Sequence, residues 1–209
     1  MNPLPLSFYR RQNVQKIAQE LLGKHLFSFQ EGLLTGGVIV ETEAYCGVCD
    51  RAAHGFPSKR TPRTEVLFSP GGMAYIYLCY GVHHLLNIVT NQKDIPQGVL
   101  IRSIEPKYGI SVMKKRRGKE ELSMKNKKND YSLTSGPGCV TQALAITLLH
   151  KGIALNSSQI WIEEREGSLP SNQIQSGPRI GVAYAQEDAL LPWRFWISHS
   201  PWVSRGSPS

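Results

Sequence analysis

Two glutamates, a tyrosine and a histidine fall within "VIVETEAYCGVCDRAAH", Val38 to His54, and these are the side chains best equipped for chemistry in this sequence. In an extended strand side chains alternate, so Ile39, Glu41, Glu43 and Tyr45 share one face, with the two carboxylates about 7 Å apart. Acids placed where an apolar strand leaves its core are costly unless something pairs or uses them. Two uses are open. Either Glu41 and Glu43 pair with arginines at the sheet edge, Arg63 and Arg102 being candidates, or one carboxylate activates a water molecule or steadies a developing positive charge. Tyr45, Tyr75, Tyr77 and Tyr80, with His54, could box a flat, electron-poor ring by stacking and cation–π attraction, although tyrosines at alternate strand positions also serve as ordinary packing.

A metal is the other chemistry to weigh. Cys46 and Cys49 form a CxxC, with His54 nearby and Cys79, His83 and His84 further on. A structural zinc site normally shows a second matched pair of ligands, and none is evident, so no metal is expected.

The elements that must position these residues follow from periodicity. Val14, Ile17, Ala18, Leu21 and Leu22 recur at helical spacing before Gly23, which predicts an amphipathic helix with a glycine stop. "HLFSF" and "GGVIVETEAY" read as strands joined by a short turn. "MAYIYLCYGVHHLLNIVT" has β-rich runs on either side of Tyr80-Gly81, a sharp reversal with the tyrosine at its tip. "GVLIRSIEP" predicts a further strand, "KYGISVMKKRRG" and "SGPGCVTQALAI" helices, and "RIGVAY" and "WRFWI" late strands. Short turns rather than helical crossovers join the strands, which favours an antiparallel or mixed α+β sheet over a doubly wound parallel one. No repeat and no Pro/Gly/Ser linker divides residues 1–209, so a single domain is expected.

Composition adds a partner. The 209 residues carry 24 Lys plus Arg against 16 Asp plus Glu, a net charge of +8 with a pI near 9.4, which points to a polyanion, nucleic acid or an anionic membrane surface. The excess is concentrated in "MKKRRGKEELSMKNKKND", Met113 to Asp130, where eight basic residues face three acids. Such a block serves as a solvated loop and attracts phosphates at the same time. The start, "MNPLPLSFYRRQ", lacks an apolar stretch long enough for a signal peptide, and no run approaches a membrane span, so a cytoplasmic protein with reduced thiols is expected.

The motifs "VETEAY", "AAH", "TPR", "YIYLCYG" with Asn87 beyond it, "VLIRSIEP", "SGPG…QALAI", "RIGVAY" and "SPWVS", in this order from about Leu21 to Ser204, resemble the alkyladenine (3-methyladenine) DNA glycosylase family. No single motif is decisive; their joint order and spacing are specific. The resemblance implies one α+β domain with a mainly antiparallel curved sheet flanked by helices, acting as a monomer without metal or organic cofactor on double-stranded DNA that contains damaged purines. It implies that Glu43 is the catalytic carboxylate and that Arg102 helps hold the attacking water. Tyr45, His54, Tyr77 and Asn87 then form the pocket for the extruded base, and Tyr80 at the tip of a protruding hairpin is the side chain inserted into DNA. Thr61, Arg63, Ile180 and Gly181 are implied DNA contacts. No lysine falls where the family would place an amine nucleophile, so the implied enzyme is monofunctional and leaves an abasic site. Val82, His83 and His84 follow the wedge where relatives carry bulkier residues, and the Cys46–Cys49 loop is not needed by the family's chemistry. The rival readings are a nucleic-acid-binding module without catalysis, since fold alone does not establish chemistry, and a metal-dependent nuclease or deaminase built on the CxxC and the histidines.

Overall fold

A computed structural model describes residues 1–119, 130–164 and 169–205. Its centre is β2, Leu33–Tyr45, the thirteen-residue strand that carries both glutamates. Antiparallel partners flank it: β1, His25–Gln30, along its first half, β5, Gln97–Tyr108, along nearly its whole length, and β8, Arg194–Ile197, beside Glu41 to Glu43. The sheet continues through β4, His83–Thr90, to β3, Ala74–Cys79, on one side and through β1 to β6, Ile160–Glu163, on the other, while β7, Ile174–Gly177, pairs with β8. Every strand pairing among the described residues is antiparallel, as short connections between β-rich runs predict.

Helices cover this sheet because their apolar spacing demands it. After α1, Leu6–Tyr9, the helix α2, Val14–Leu21, begins at Asn13, whose side chain accepts the Lys16 N–H, and it buries Val14, Ile17, Ala18 and Leu21 completely. Thr42 fastens α2 to β2 by donating its hydroxyl to the Ala18 carbonyl at 2.9 Å. Ile39, Ile76, Leu86, Ile88, Val99, Ile101 and Ile104 join α2 in the main core. Two further helices, α3, Ile110–Arg116, and α4, Pro137–Ala143, lie where the sequence predicts them, and α4 packs on β4 and β5.

Three expectations change. The alternation along Ile39, Glu41, Glu43 and Tyr45 is interrupted by register shifts on both sides of Glu41, so β2 is bulged where its acids sit. "RIGVAY" forms no strand: residues 178–182 are irregular and Ala183–Leu190 is a kinked 3-10 segment. The cause is local. Arg179 is drawn inward, the Ile180 N–H is taken by a carboxylate, and Gly181 adopts φ +75°, so the backbone groups of this segment do not form a ladder. Of the basic segment Met113 to Asp130, residues 120–129 lie outside the described residues. Arg116 and Arg117, at the end of α3, bond to neighbouring groups of the fold, Arg116 to the Gln30 and Ala143 carbonyls and Arg117 to Ser132 and Cys139, so they are not free basic surface.

Candidate active site

Glu43 is completely buried at the crossing of β2, β5 and β8. Its Oε1 accepts the Ile180 backbone N–H at 2.8 Å and faces Arg102 Nη1 at 3.1 Å; its Oε2 accepts the Tyr45 hydroxyl at 2.7 Å. Tyr45 remains the donor, since burial and then the neighbouring Glu43 charge push its ionisation well above the ordinary range. Oε2 has that single donor among the described residues, so it is the oxygen with acceptor capacity left for a water molecule.

Glu41 is equally buried and otherwise occupied. Its Oε1 accepts from Arg102 Nε at 2.9 Å, Arg194 Nε at 2.6 Å and the Ser204 hydroxyl at 2.9 Å, and its Oε2 accepts from the Ser103 hydroxyl at 2.8 Å and the Ser204 N–H at 2.7 Å. Burial opposes its charge, but the guanidinium groups of Arg102 and Arg194 and the Ser204 donors outweigh that and hold its carboxyl below the usual range. Thus the two acids differ: Glu41 is fully engaged, with Arg194 rather than Arg63 joining Arg102, whereas Glu43, which also faces Arg102, keeps acceptor capacity on Oε2. Arg102 is the link. It bridges both carboxylates and reaches the Ser204 hydroxyl at 3.1 Å through Nη2.

The pocket in front of Glu43 is an open cavity of about 400 Å³. Tyr45, His54, Tyr77, Asn87, Tyr80, Arg102, Ile180 and Gly181 all line it, so eight side chains or backbone positions chosen for chemistry converge there. Glu43 stands one layer behind this wall, held by Tyr45, Arg102 and Ile180, which do face the cavity. Strand alternation on β3 puts Tyr75 and Tyr77 side by side, with ring centroids 5.7 Å apart. His54 meets Tyr77 edge-on at 4.5 Å and shares a hydrogen bond of 3.0 Å between its Nδ1 and the Tyr75 hydroxyl. Asn87, opposite Tyr75 in the β3–β4 pairing, donates from its amide to the Tyr75 carbonyl at 3.4 Å, the ordinary strand role, while also facing the pocket.

Burial, then the positive charge of Arg63, pushes the His54 imidazole down to about 4. The ring is therefore neutral above about pH 5. The expected result in an NMR titration is a His54 ring that keeps its neutral chemical shifts at pH 6, where an ordinary histidine with a pKa near 6.5 is mostly protonated. Because the folded value lies below the unfolded one, this residue's contribution to stability is complete above about pH 6.5 and is lost as the pH falls toward 4.

β3 and β4 turn at Tyr80 and Gly81, both with positive φ, +50° and +73°, closed by a Val82 N–H to Cys79 carbonyl bond of 3.1 Å. Left-handed backbone at both central positions suits the twist of a two-residue reversal, and a tyrosine tolerates it only with strain. Tyr80 is 90% exposed. Thr61 and Arg63 do not line the cavity: Thr61 is engaged with Thr64, and the Arg63 guanidinium lies 5.3 Å from the centre of the Tyr77 ring.

Sequence reasoning overlooked the residues that hold this arrangement. Arg179 grips Asp50 through two bonds of 2.6 and 2.8 Å, also reaches the Ala44 carbonyl, and stacks over Tyr45 at 4.8 Å, which places the next residue, Ile180, with its N–H on Glu43. Tyr184, 65% exposed at the cavity mouth, lies in a stretch whose β-like composition pointed to a strand instead. Among the described residues there is no group of three or more His, Cys, Asp or Glu side chains that could hold a metal, and no helix long and apolar enough to cross a membrane. Cys46 and Cys49 are free thiols.

Known proteins have sequences similar to nearly the whole of this chain. The family model described as "Methylpurine-DNA glycosylase (MPG)" matches residues 7–201. Proteins of Bacillus cytotoxicus (strain DSM 22905 / CIP 110041 / 391-98 / NVH 391-98) and Bacillus thuringiensis (strain Al Hakam) are 42% and 43% identical over 205 residues, covering 96% of this chain and 98% of theirs; both are named "Putative 3-methyladenine DNA glycosylase". With a buried, partly free carboxylate behind an aromatic pocket and a match along nearly its whole length, the chain belongs to the methylpurine-DNA glycosylase family.

Proposed function

We propose that this protein is a monofunctional DNA glycosylase of base excision repair that hydrolyses the N-glycosidic bond of alkylated or deaminated purines flipped out of duplex DNA and leaves an abasic site. The observation that carries this reading is the position of Glu43, whose free acceptor site on Oε2 lies directly behind the wall of an aromatic pocket wide enough for a base. A base inside a duplex is out of reach, so the nucleotide must rotate out of the stack. Tyr80, exposed on a strained turn at the pocket's edge, fills the gap. The extruded purine enters between Tyr77 on one side and Tyr45 with His54 on the other. Cleavage develops positive charge on the sugar; Glu43 stabilises that charge and accepts a proton from a water molecule that reaches Oε2 past Tyr45, while Arg102 keeps the carboxylate in place. Thr61, Arg63, Ile180 and Gly181 border the path of the DNA backbone. A net charge of +8 supplies the attraction to it.

The test is direct: duplexes with a single 3-methyladenine, 7-methylguanine, hypoxanthine or ethenoadenine should yield free base, with the strand intact until alkali is added. Binding without release would return the protein to the non-catalytic reading. Two variants probe the parts. Tyr80→Ala should reduce extrusion, read from a fluorescent base analogue at the lesion, more than it reduces affinity for undamaged duplex. Asn87→Ser should raise excision of guanine-type bases relative to hypoxanthine, because the longer amide crowds the purine face that bears guanine's exocyclic amino group. A ratio equal to wild type, in a variant that still releases hypoxanthine, would leave Asn87 with its strand bond to Tyr75 alone.

A further inference from the structure

Tyr45 and Tyr77, two of the tyrosines that line the pocket, each have a guanidinium on the ring, and the two differ in one respect. Arg179, 4.8 Å from the Tyr45 centroid, is paired with Asp50 through both terminal nitrogens, and its charge is neutralised. Arg63, 5.3 Å from the Tyr77 centroid, is exposed, and among the described residues no carboxylate lies within ion-pair distance of it. The nearest acid in sequence, Glu65, is held by Arg60 through both oxygens. Arg63 is absent from the cavity lining whereas Tyr77 is part of it; its guanidinium lies over the Tyr77 ring and also hydrogen-bonds the neighbouring Tyr75 side chain.

We propose that Arg63 is a specificity-determining residue: its unpaired positive charge, applied through the Tyr77 ring, disfavours purines that carry a formal positive charge relative to neutral damaged purines. The inference rests on the glycosylase reading above and deepens it. Two physical effects act in the same direction. A cation on one face of an aromatic ring draws on the same negative π-density that would attract a cationic base on the other. Direct repulsion adds to this. A base stacked about 3.5 Å beyond Tyr77 would place its charge roughly 9 Å from the guanidinium, a separation at which like charges at effective dielectric constants of about 20 to 80 weaken binding by about two- to twentyfold. The field of Arg63 already reaches into the pocket, since it opposes protonation of His54 in addition to burial. A neutral base loses nothing by this arrangement, because His54, Tyr75 and Tyr77 carry no charge of their own at neutral pH.

The test compares affinities, which separates recognition from the chemical step. Duplexes carrying 3-methyladenine, a cation, or hypoxanthine, which is neutral, on a 2′-fluoro sugar that resists hydrolysis would be titrated with wild type, Arg63→Gln and Arg63→Lys. Any loss of phosphate contact affects both duplexes alike and cancels in their ratio. The expected result is a cation-to-neutral affinity ratio that rises by about two- to twentyfold in Arg63→Gln and much less in Arg63→Lys, which keeps the charge. Raising the salt concentration should move the wild-type ratio in the same direction, because an exposed charge is screened, and this needs no variant to fold. A ratio unchanged by both Arg63→Gln and salt, with lesion binding still tighter than to undamaged duplex, would overturn the role of Arg63 alone. A wild type that binds neither lesion better than undamaged DNA would instead overturn the glycosylase reading.

Discussion

Replacing Glu43 with glutamine is expected to lower base release by about a hundred- to ten-thousandfold while duplexes bearing the lesion still bind. The amide keeps the shape of the side chain, and its oxygen can still accept the Ile180 N–H. It cannot take a proton from water, and it brings no charge to set against the sugar. The change also leaves Arg102 with one carboxylate instead of two, so the thermal midpoint should be measured beside the rate. Single-turnover release under saturating enzyme is the quantity to follow, since it isolates the chemical step from product dissociation. A loss smaller than tenfold in a folded, lesion-binding variant would remove Glu43 from the reaction.

Glu41 should give the opposite signature. Glu41→Ala is expected to cost about 3–5 kcal/mol of folding stability, because it strands Arg102 and Arg194 in an interior where their counter-charge was buried with them. Urea unfolding followed by fluorescence would show it as a lowered midpoint. The pH dependence has a definite sign. Because the folded Glu41 carboxyl titrates below its unfolded value, its stabilising effect is present above about pH 4.3 and is lost as the pH falls through the folded value. Glu41→Gln should therefore lose stability at neutral pH and show a shallower decline on acidification than wild type. If Glu41→Gln instead folds as well as wild type and fails to release base, the roles of the two glutamates are exchanged.

Much of this arrangement is legible in the chain before any coordinates. Period-two spacing locates β2 to β5 and puts Tyr75 beside Tyr77; period-3.6 spacing locates α2; and the surplus of acids at the end of β2 singles out Glu41 and Glu43. The division of labour between those two acids is not legible, because it depends on residues up to 163 positions away, Arg194 and Ser204, that reach Glu41 and leave Glu43 alone. The same limit explains "RIGVAY". Its apolar, β-branched composition suits a strand, and only the long-range pairing of Arg179 with Asp50 and of the Ile180 N–H with Glu43 overrides that preference. Two bulges beside Glu41 likewise follow from what surrounds β2 rather than from its own alternation.

The bonds from Ser204 to Glu41 have a consequence for biosynthesis. During translation β2 emerges early, and its glutamate at position 41 would wait through the synthesis of more than a hundred and fifty further residues before Arg194 and Ser204 arrive to satisfy it. A nascent chain can form α2, β1, β2 and, once β5 has emerged, the Arg102 bridge, yet β2 still carries a buried acid short of donors. Such a chain has every reason to remain loosely packed around β2 until the segment bearing Ser204 clears the ribosome. The finished site is thereby acquired late, in one step, and a polypeptide released prematurely would be unstable and a substrate for proteolysis rather than a partly active enzyme.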